Sequence, residues 1–524
     1  MSFRCFRVPA RPAADHGHAR TAGGKGRTAS RRRHAGLGLA GGLALLLAGC
    51  AVGPDYVGPP SPSLPSRWRN APAAPSADHA ALTRWWRRLG DPLLGRLIEE
   101  AVEANPDVAN AKARIREARA TLAQTAASLF PSIEGTGSAT HNKASSGASV
   151  DSIGTDVAPY GLYQAGFDAS WELDLFGGNH RGLEAALRGE QSAEDDLSST
   201  LLTLIGDVAS YYIEARGYQA RIALANRTSS SQRDTERLTR SKFNAGSATA
   251  VDVAKATAQA ASTEANVPTY EAARAADIHR LGILLGRAPG ALATTMTGAA
   301  PLPDPRLPLP AGIPADLLRN RPDVASAERK LAQATAKIGQ AEADRYPSVS
   351  LTGSVATSAL RLGDLAKYSS VSWSIGPSVT VPVFDAGKRY AAVKIAEAQR
   401  DQSFATFQST LLTALEDVEN ALVSLSTERV RIRKLSEAAT NYREAARLSR
   451  ALYENGSSSF IDVLDAERSL YSAEDSLLQS RTSMAKDYVA LAKALGGGWD
   501  GAIDAGQPLI ADRDTGPHPR KPLR

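Results

Sequence analysis

The spacing of apolar residues changes several times along this chain, and the changes come in the same order twice. Leu201, Ile205, Val208, Tyr212, Ala215 and Ile222 return 210 positions later, without a gap, as Leu411, Leu415, Val418, Leu422, Leu425 and Ile432. Steps of four and three predict the seam of a coiled coil rather than a loose globular face. Asp207-Val208 and Leu285-Gly286 recur at the same offset as Asp417-Val418 and Leu495-Gly496. An ungapped echo over roughly 90 positions marks a duplicated structural unit. The two arms run from about 183 to 244 and from about 388 to 454. Sixty helical residues span roughly 90 Å, far more than a compact domain needs.

Each arm ends in a turn with its own signature. Tyr453-Glu-Asn-Gly456 echoes Phe243-Asn-Ala-Gly246, and the glycine is placed to take the left-handed conformation that terminates a helix. Three residues on, Ser459 or Thr249 is followed at the third position by Asp462 or Asp252, a carboxylate form of the capping box. The chain therefore turns back into a second helix at both sites.

Elsewhere the period is two. From Tyr163 to Leu175 every odd position is apolar, and Gln164, Gly166, Asp168, Ser170, Glu172 and Asp174 fill the even ones. Pro347 to Val355 and Val371 to Val381 alternate likewise, and Ile133 to Thr140 does so more weakly. Four strands of roughly ten residues with one apolar face have the length and pattern of transmembrane barrel strands. A soluble antiparallel sheet with its apolar face on a core is the alternative. Polar loops at about 141–162 and 356–370 favour the membrane reading. Four strands cannot close a barrel, and lipid does not tolerate an open edge. Copies of the same chain must complete the sheet. Two copies give eight strands, whose interior side chains fill; about twelve are needed for a lumen, so a trimer is the smallest assembly that conducts.

The echo extends to this half. Asn105-Pro106-Asp107-Val108 recurs as Arg321-Pro322-Asp323-Val324, and Phe130-Pro131-Ser132 as Tyr346-Pro347-Ser348, both 216 residues apart. Each repeat thus reads helix, strand, strand, long helix, turn, returning helix. Pro301 to Pro310, with five prolines, forms an extended linker between them. The polar tail from about 499 wraps the body or frays.

Charge alters the picture once the ends are separated. The formal net charge is +6, but residues 1–49 hold nine Lys/Arg and one Asp, leaving 52 basic and 54 acidic residues. A near-neutral body without basic–aromatic clusters gives no support to nucleic-acid binding. Arg31-Arg-Arg33 precedes an apolar run, Ala35 to Gly49, too short for a bilayer helix but suited to an export signal. Leu47-Ala48-Gly49-Cys50 resembles a bacterial lipobox, which implies cleavage before Cys50 and acylation of its sulfur and amine. An ordinary signal peptide beside an unmodified cysteine is the other reading. Ala51, rather than Asp, implies sorting to the outer membrane in lipoproteins of this kind. Cys5 leaves with the signal, so the mature chain has one thiol and no intrachain disulfide. Residues 53–80 are rich in Pro, Ala and Ser and cannot pack as helix. The chain divides into a signal (1–49), a lipidated tether (50–82), repeat 1 (83–297), a linker (298–315), repeat 2 (316–497) and a tail (498–524).

With these features in place, the chain resembles the outer membrane factor family, in particular its NodT-type efflux lipoproteins that serve resistance-nodulation-division pumps. The carriers are Cys50-Ala-Val-Gly-Pro-Asp-Tyr56, Trp171-Glu-Leu-Asp-Leu-Phe-Gly177, Arg319-Asn-Arg-Pro-Asp-Val324, Pro382-Val-Phe-Asp-Ala-Gly387 and the two hairpin tips. The resemblance covers nearly all of the mature chain. It implies a mixed α and β membrane protein, a homotrimer whose twelve-stranded transmembrane β-barrel continues as a twelve-helix periplasmic α-barrel. It implies partners as well: a periplasmic adaptor, an inner-membrane pump of the resistance-nodulation-division class, and outer-membrane lipid. The function expected is export of drugs or toxic small molecules through the outer membrane. A protein-secretion channel and a lipid-anchored periplasmic coiled-coil scaffold are the alternatives.

By the same resemblance, the constriction lies at the periplasmic end of the tunnel and maps to Ile461, Asp465 and Arg468. These fall on one helical face. Three copies of Asp465 around a narrow axis repel unless Arg468 or a cation compensates, which makes the pair a candidate latch. A plain i,i+3 surface ion pair is the other reading. The first repeat has Val251, Lys255 and Ala258 at these offsets, so the hairpins are not equivalent here. Gly246, Thr249, Asp252, Gly456, Ser459 and Asp462 turn the chain and, at the tips, are candidates for adaptor contact. His79, His141, His180, His279 and His518 are scattered, without metal-ligand or triad spacing, and no HExxH, GxSxG or phosphate-loop pattern occurs. No catalysis and no cofactor are expected.

Overall fold

The structure is a computed structural model that describes residues 51–59, 65–70, 82–143, 158–305 and 321–509. Cys50 and the signal lie outside the described residues, as do most of the 298–315 linker and the end of the tail.

Repeat 1 begins with a short 3-10 turn, Trp85–Leu89, then α1 (Pro92–Ala104) and α2 (Pro106–Ala127). Strands β1 (Ser132–Asn142) and β2 (Tyr160–Leu173) follow, and then the long α3 (Gly178–Asn244). The chain returns through α4 (Ala250–Glu264) and α5 (Asn266–Leu284). Repeat 2 has α6 (Pro322–Ala343), β3 (Ser348–Ala359), β4 (Val371–Thr380), α7 (Lys388–Glu454) and a single returning helix, α8 (Phe460–Ala494). The long arms α3 and α7 each hold 67 residues, about 100 Å of helix. Both start at a glycine held left-handed, Gly177 at φ 77° and Gly387 at φ 85°.

The return helices differ between the repeats. In repeat 1 the helix breaks at Ala265, and Pro268 follows three residues on. A proline in a helix cannot donate to the carbonyl four residues earlier, here that of Glu264. The matching position in repeat 2 is Leu478, and α8 runs through unbroken.

The four strands form one antiparallel sheet in the order β1-β2-β3-β4. Register fixes its two faces: Gly135 pairs with Phe167, Phe167 with Val355 and Val355 with Trp373. That row is apolar, and the next lines up Glu134, Asp168, Ser354 and Ser374. The apolar face is bare in the protomer, with Ile133, Phe167, Trp373 and Ile375 each 66–73% exposed. A soluble sheet resting on a core would bury this row. Among the described residues, no helix is long and apolar enough to cross a membrane.

The main core lies midway along the helices, where α1, α2 and the 3-10 turn pack against α3 and α8. Trp85, Trp86, Tyr212, Ile213, Leu281, Leu285 and Tyr488 are all buried there, together with Trp68. Asp91 caps α1 by accepting from the Leu93 and Leu94 N–H groups at 2.9 and 3.3 Å, and its other oxygen accepts from the Tyr212 hydroxyl at 2.6 Å. A single carboxylate thus starts a short helix and ties it to the long one. The chain after 498 wraps this girdle. Trp499 stacks on Trp86 with centroids 6.3 Å apart, and Arg116 donates to the Ala505 and Gln507 carbonyls.

Candidate functional site: the helical tips

Both turns are closed by the same bonds. Gly246 (φ 76°) donates to the Phe243 carbonyl and Ser247 to that of Lys242; Gly456 (φ 75°) donates to Tyr453 and Ser457 to Leu452. This is the pairing that satisfies the last free carbonyls of a helix. The next helix starts with the capping box expected. The Asp252 carboxylate accepts the Thr249 N–H at 3.0 Å, and Asp462 accepts that of Ser459 at 3.0 Å. All six tip residues therefore have a turn-forming role in the protomer.

The tips lean on one another through groups that spacing alone did not single out. Tyr453, Phe460, Val463 and Leu464 of the second hairpin bury themselves against Ala256 and Leu238 of the first. Lys242 donates to the Tyr453 carbonyl at 2.5 Å, and the Tyr453 hydroxyl to the Thr239 hydroxyl at 3.3 Å. A cation at a helix C-terminus is placed where the dipole favours it. Higher up, Thr235 donates to Glu467 at 2.8 Å. Burial pushes the Glu467 carboxyl up, against the opposing effect of that bond and of Arg450. Within the first hairpin Arg233 bridges Glu236 and Glu264 at 2.9 and 2.7 Å. Its hydrogen bond, then that of Arg240, holds the Glu236 carboxyl down at about 2. Polar residues on a coiled-coil flank carry no one-dimensional mark that separates such bridges from solvated charge.

Ile461, Asp465 and Arg468 share one exposed face of α8, with Ile461 42% exposed. Asp465 and Arg468 form no ion pair with each other or with any other described residue of the protomer, so the simple i,i+3 pair is not made here. Both line a cleft of about 820 Å³ between the hairpins, together with Gln259, Asn266, Tyr442 and Tyr471. Its wall on the first hairpin runs from Gln259 to Asn266, across the interruption at Ala265. Thr263, also on its wall, keeps a buried hydroxyl without a hydrogen-bond partner.

At the far end of the helices, residues 51–56 lie along the body instead of hanging free. Val52 donates to the Phe176 carbonyl at 3.1 Å, and Arg181 reaches Asp55 at 2.6 Å. The Tyr56 hydroxyl donates to Glu328 at 3.3 Å. A Cβ on Gly53 would stand 2.3 Å from the Gly339 Cα, so this approach requires glycine. Ala51, the neighbour of Cys50, touches Gly177 at the sheet–helix junction.

A sheet with a bare apolar face, set on one end of paired helical hairpins of about 100 Å, defines the class: a subunit of an envelope-spanning conduit. The model of the family described as outer membrane efflux protein matches residues 97–287 and 313–497. The chain belongs to that family. It is 35% identical to Nodulation protein T of Rhizobium leguminosarum bv. trifolii over 465 residues, 88% of this chain and 98% of that one. It is 33% identical to the solvent efflux pump outer membrane protein SrpC of Pseudomonas putida, covering 87% of this chain and 97% of the relative. Among solved structures, the outer-membrane channel OprN superposes with a TM-score of 0.79 at 34% identity, covering 86% of this chain and all of that one. The open state of the Neisseria gonorrhoeae MtrE outer membrane channel does so at 0.75 with 29% identity, covering 86% and 98%. The matched residues take in most of repeat 1 and all of repeat 2.

Proposed function

We propose that three copies of this chain close their sheets into a twelve-stranded outer-membrane barrel and their hairpins into a periplasmic tunnel. The tunnel passes small molecules outward as the exit channel of a tripartite efflux system. The observation that carries this reading is the sheet itself. Its outer strands β1 and β4 are unpaired edges on an otherwise continuous apolar face, and lipid does not accept such edges. Large apolar side chains stand exposed along both edges and just beyond them, Phe130 at 70% and Ile133 at 71% on one, Val379 at 59% and Phe384 at 89% on the other. Copies meeting edge to edge pair the open strand edges, while the apolar row along them, Ile133 and Val379 included, stays turned to lipid. The similarity to solvent-efflux and antibiotic-efflux outer membrane proteins of Pseudomonas putida supports small-molecule cargo.

In this assembly Ile461, Asp465 and Arg468 form the periplasmic gate. Asp465 and Arg468, unpaired within the protomer, are available to partners on the neighbouring copies. The six tip residues face the adaptor, which links the tunnel to an inner-membrane pump. Lipidated Cys50 holds the sheet–helix junction to the inner leaflet, because residues 51–56 are strapped there.

Single-channel conductance in planar bilayers tests the reading, comparing the purified trimer with Asp465→Ala/Arg468→Ala. Brief, small openings in the parent and large, stable ones in the variant support a gated conduit. Equal large conductance in both keeps the conduit and removes the latch. Silence from both, with insertion shown independently, sinks the conduit.

A further inference from the structure

The connection between β3 and β4 (residues 360–370) is an ordered turn that bends toward the apolar face of the sheet. Two short 3-10 turns, Leu362–Asp364 and Tyr368–Ser370, build it. The Lys367–Asp364 ion pair at 2.6 Å and the Ser370 hydroxyl on the Asp364 carbonyl at 2.8 Å close it. Its direction is set by Thr357, which pairs with Val371 and shares the apolar face with Val355 and Trp373. The Thr357 hydroxyl donates to the Leu365 carbonyl at 2.5 Å, so the connection passes over that face. Exposure on the same row falls from 54% at Val355 to 9% at Ala359.

The bend leaves apolar side chains outside. Leu360 is 61% exposed, Leu362 65% and Tyr368 94%. Arg361 stands between the two leucines and is exposed; it makes no ion pair among the described residues, although Asp364 in the same turn feels its charge. A turn over a polar mouth has no reason to show three large apolar groups to water. A turn resting on the headgroup boundary has: leucine and tyrosine sink among the upper acyl chains, while arginine meets lipid phosphate.

We propose that residues 360–368 form a lip that docks on the outer leaflet of the membrane, with Leu360, Leu362 and Tyr368 inserted and Arg361 on anionic headgroups. The lip continues the lipid-facing surface above the last strand pairs instead of folding over the channel mouth. It rests on the reading that the apolar face of the sheet lies in lipid.

The test is depth measurement by nitroxide labels at Leu362→Cys, Tyr368→Cys and Ile375→Cys in the full trimer, reconstituted in phosphatidylcholine vesicles with and without phosphatidylglycerol. Labelling of the unsubstituted protein gives the background, which is nil where the Cys50 sulfur carries lipid. Ile375 lies mid-face and reports on the membrane reading by itself. We expect oxygen to relax the labels at 362 and 368 more than a water-soluble nickel complex does, at a shallower depth than 375. Phosphatidylglycerol deepens position 362, and Arg361→Glu abolishes that shift. Lipid exposure at 375 with water-like behaviour at both 362 and 368 overturns the lip and leaves the barrel. Water-like behaviour at 375 overturns the membrane reading and the lip with it. Equal depth at 362 in the two vesicle types overturns the role given to Arg361.

Discussion

Asn105 and Arg321 hold equivalent places in the two repeats, and each fastens the end of its own returning helix. The Asn105 amide donates to the Leu284 carbonyl at 2.8 Å, and the Arg321 guanidinium to the Ala494 carbonyl at 3.2 Å. Both precede a proline that opens a helix, and Leu284 and Ala494 are themselves 210 residues apart. In each half, the start of a short helix is pinned to the last turn of the hairpin. Arg321 adds a charge bridge to Asp323 and Asp417 at 2.7 and 3.1 Å.

The two pins should fail by different amounts. Arg321→Ala leaves two carboxylates beside a buried site and a free helix-end carbonyl. The carboxylates are 33% and 47% exposed, so water takes up part of the loss and the cost is about 2–3 kcal/mol. Asn105→Ala removes a neutral bond and a helix cap, at about 1–2 kcal/mol. Thermal melts of the purified trimer should rank parent, Asn105→Ala, Arg321→Ala. Equal midpoints for the two variants would argue against the charge bridge.

Gly246→Ala and Gly456→Ala should each cost about 1 kcal/mol from the left-handed backbone alone, since a Cβ at either position meets nothing within 4 Å. Sterically both are tolerated, so the trimer forms. Hydrogen exchange at the tips should speed up while the Trp85–Trp86 girdle is unchanged. Loss of trimer would mean that the turns do more than reverse the chain.

Gly53→Val should dislodge the strap, because the side chain meets the Gly339 backbone and Gly53 sits at φ 90°. Limited proteolysis should then release residues before 60 without touching the hairpins. Arg181→Ala should loosen the same segment through loss of the Asp55 pair. Protection equal to the parent in both variants would leave the strap without a fixed seat.

Asp277 gives the helical body a pH dependence with a definite sign. It is 9% exposed, and burial first, then Glu214, pushes its carboxyl up to about 7, with Lys486 opposing. Lys486 itself pairs with Glu214 at 2.9 Å, and one Asp277 oxygen is buried without a hydrogen-bond partner. The folded state holds this proton more tightly than the unfolded chain, so its contribution to stability falls as pH rises from about 4 to 7. Asp277→Asn should flatten that slope and raise the melting midpoint at pH 8 by about 3 °C. A lower midpoint at pH 8 would mean that the charged form is stabilised by a contact outside the protomer.

Glu236 runs the other way. Its carboxyl lies well below the ordinary range because Arg233 and Arg240 bind the charged form. The stability it lends is present above about pH 4.5 and is lost as pH falls toward 2. Glu236→Gln should therefore weaken the first hairpin at pH 7 and leave it unchanged at pH 2, read by hydrogen exchange in α4.

The chain itself determined everything that depends on period, punctuation and repetition. The seam from Leu201 to Leu425 required paired long helices, because steps of four and three bury one stripe. The odd–even alternation from Tyr163 to Leu173 required strands with one apolar face. Gly246 and Gly456 had to turn because little but glycine takes that backbone freely. Only the tertiary structure decided which polar residues face each other across helices. Thr235 and Glu467 are 232 residues apart, and Arg321 and Ala494 are 173. No local spacing encodes such distances. The interruption at Ala265 went unread, since both repeats were expected to return as one helix, and the cleft beside Asp465 and Arg468 depends on where α8 lies. The strap of residues 51–56 shows the same division: Gly53 and Pro54 disfavour helix, while its seat on Arg181 and Gly339 exists only once α3 and α6 have packed together.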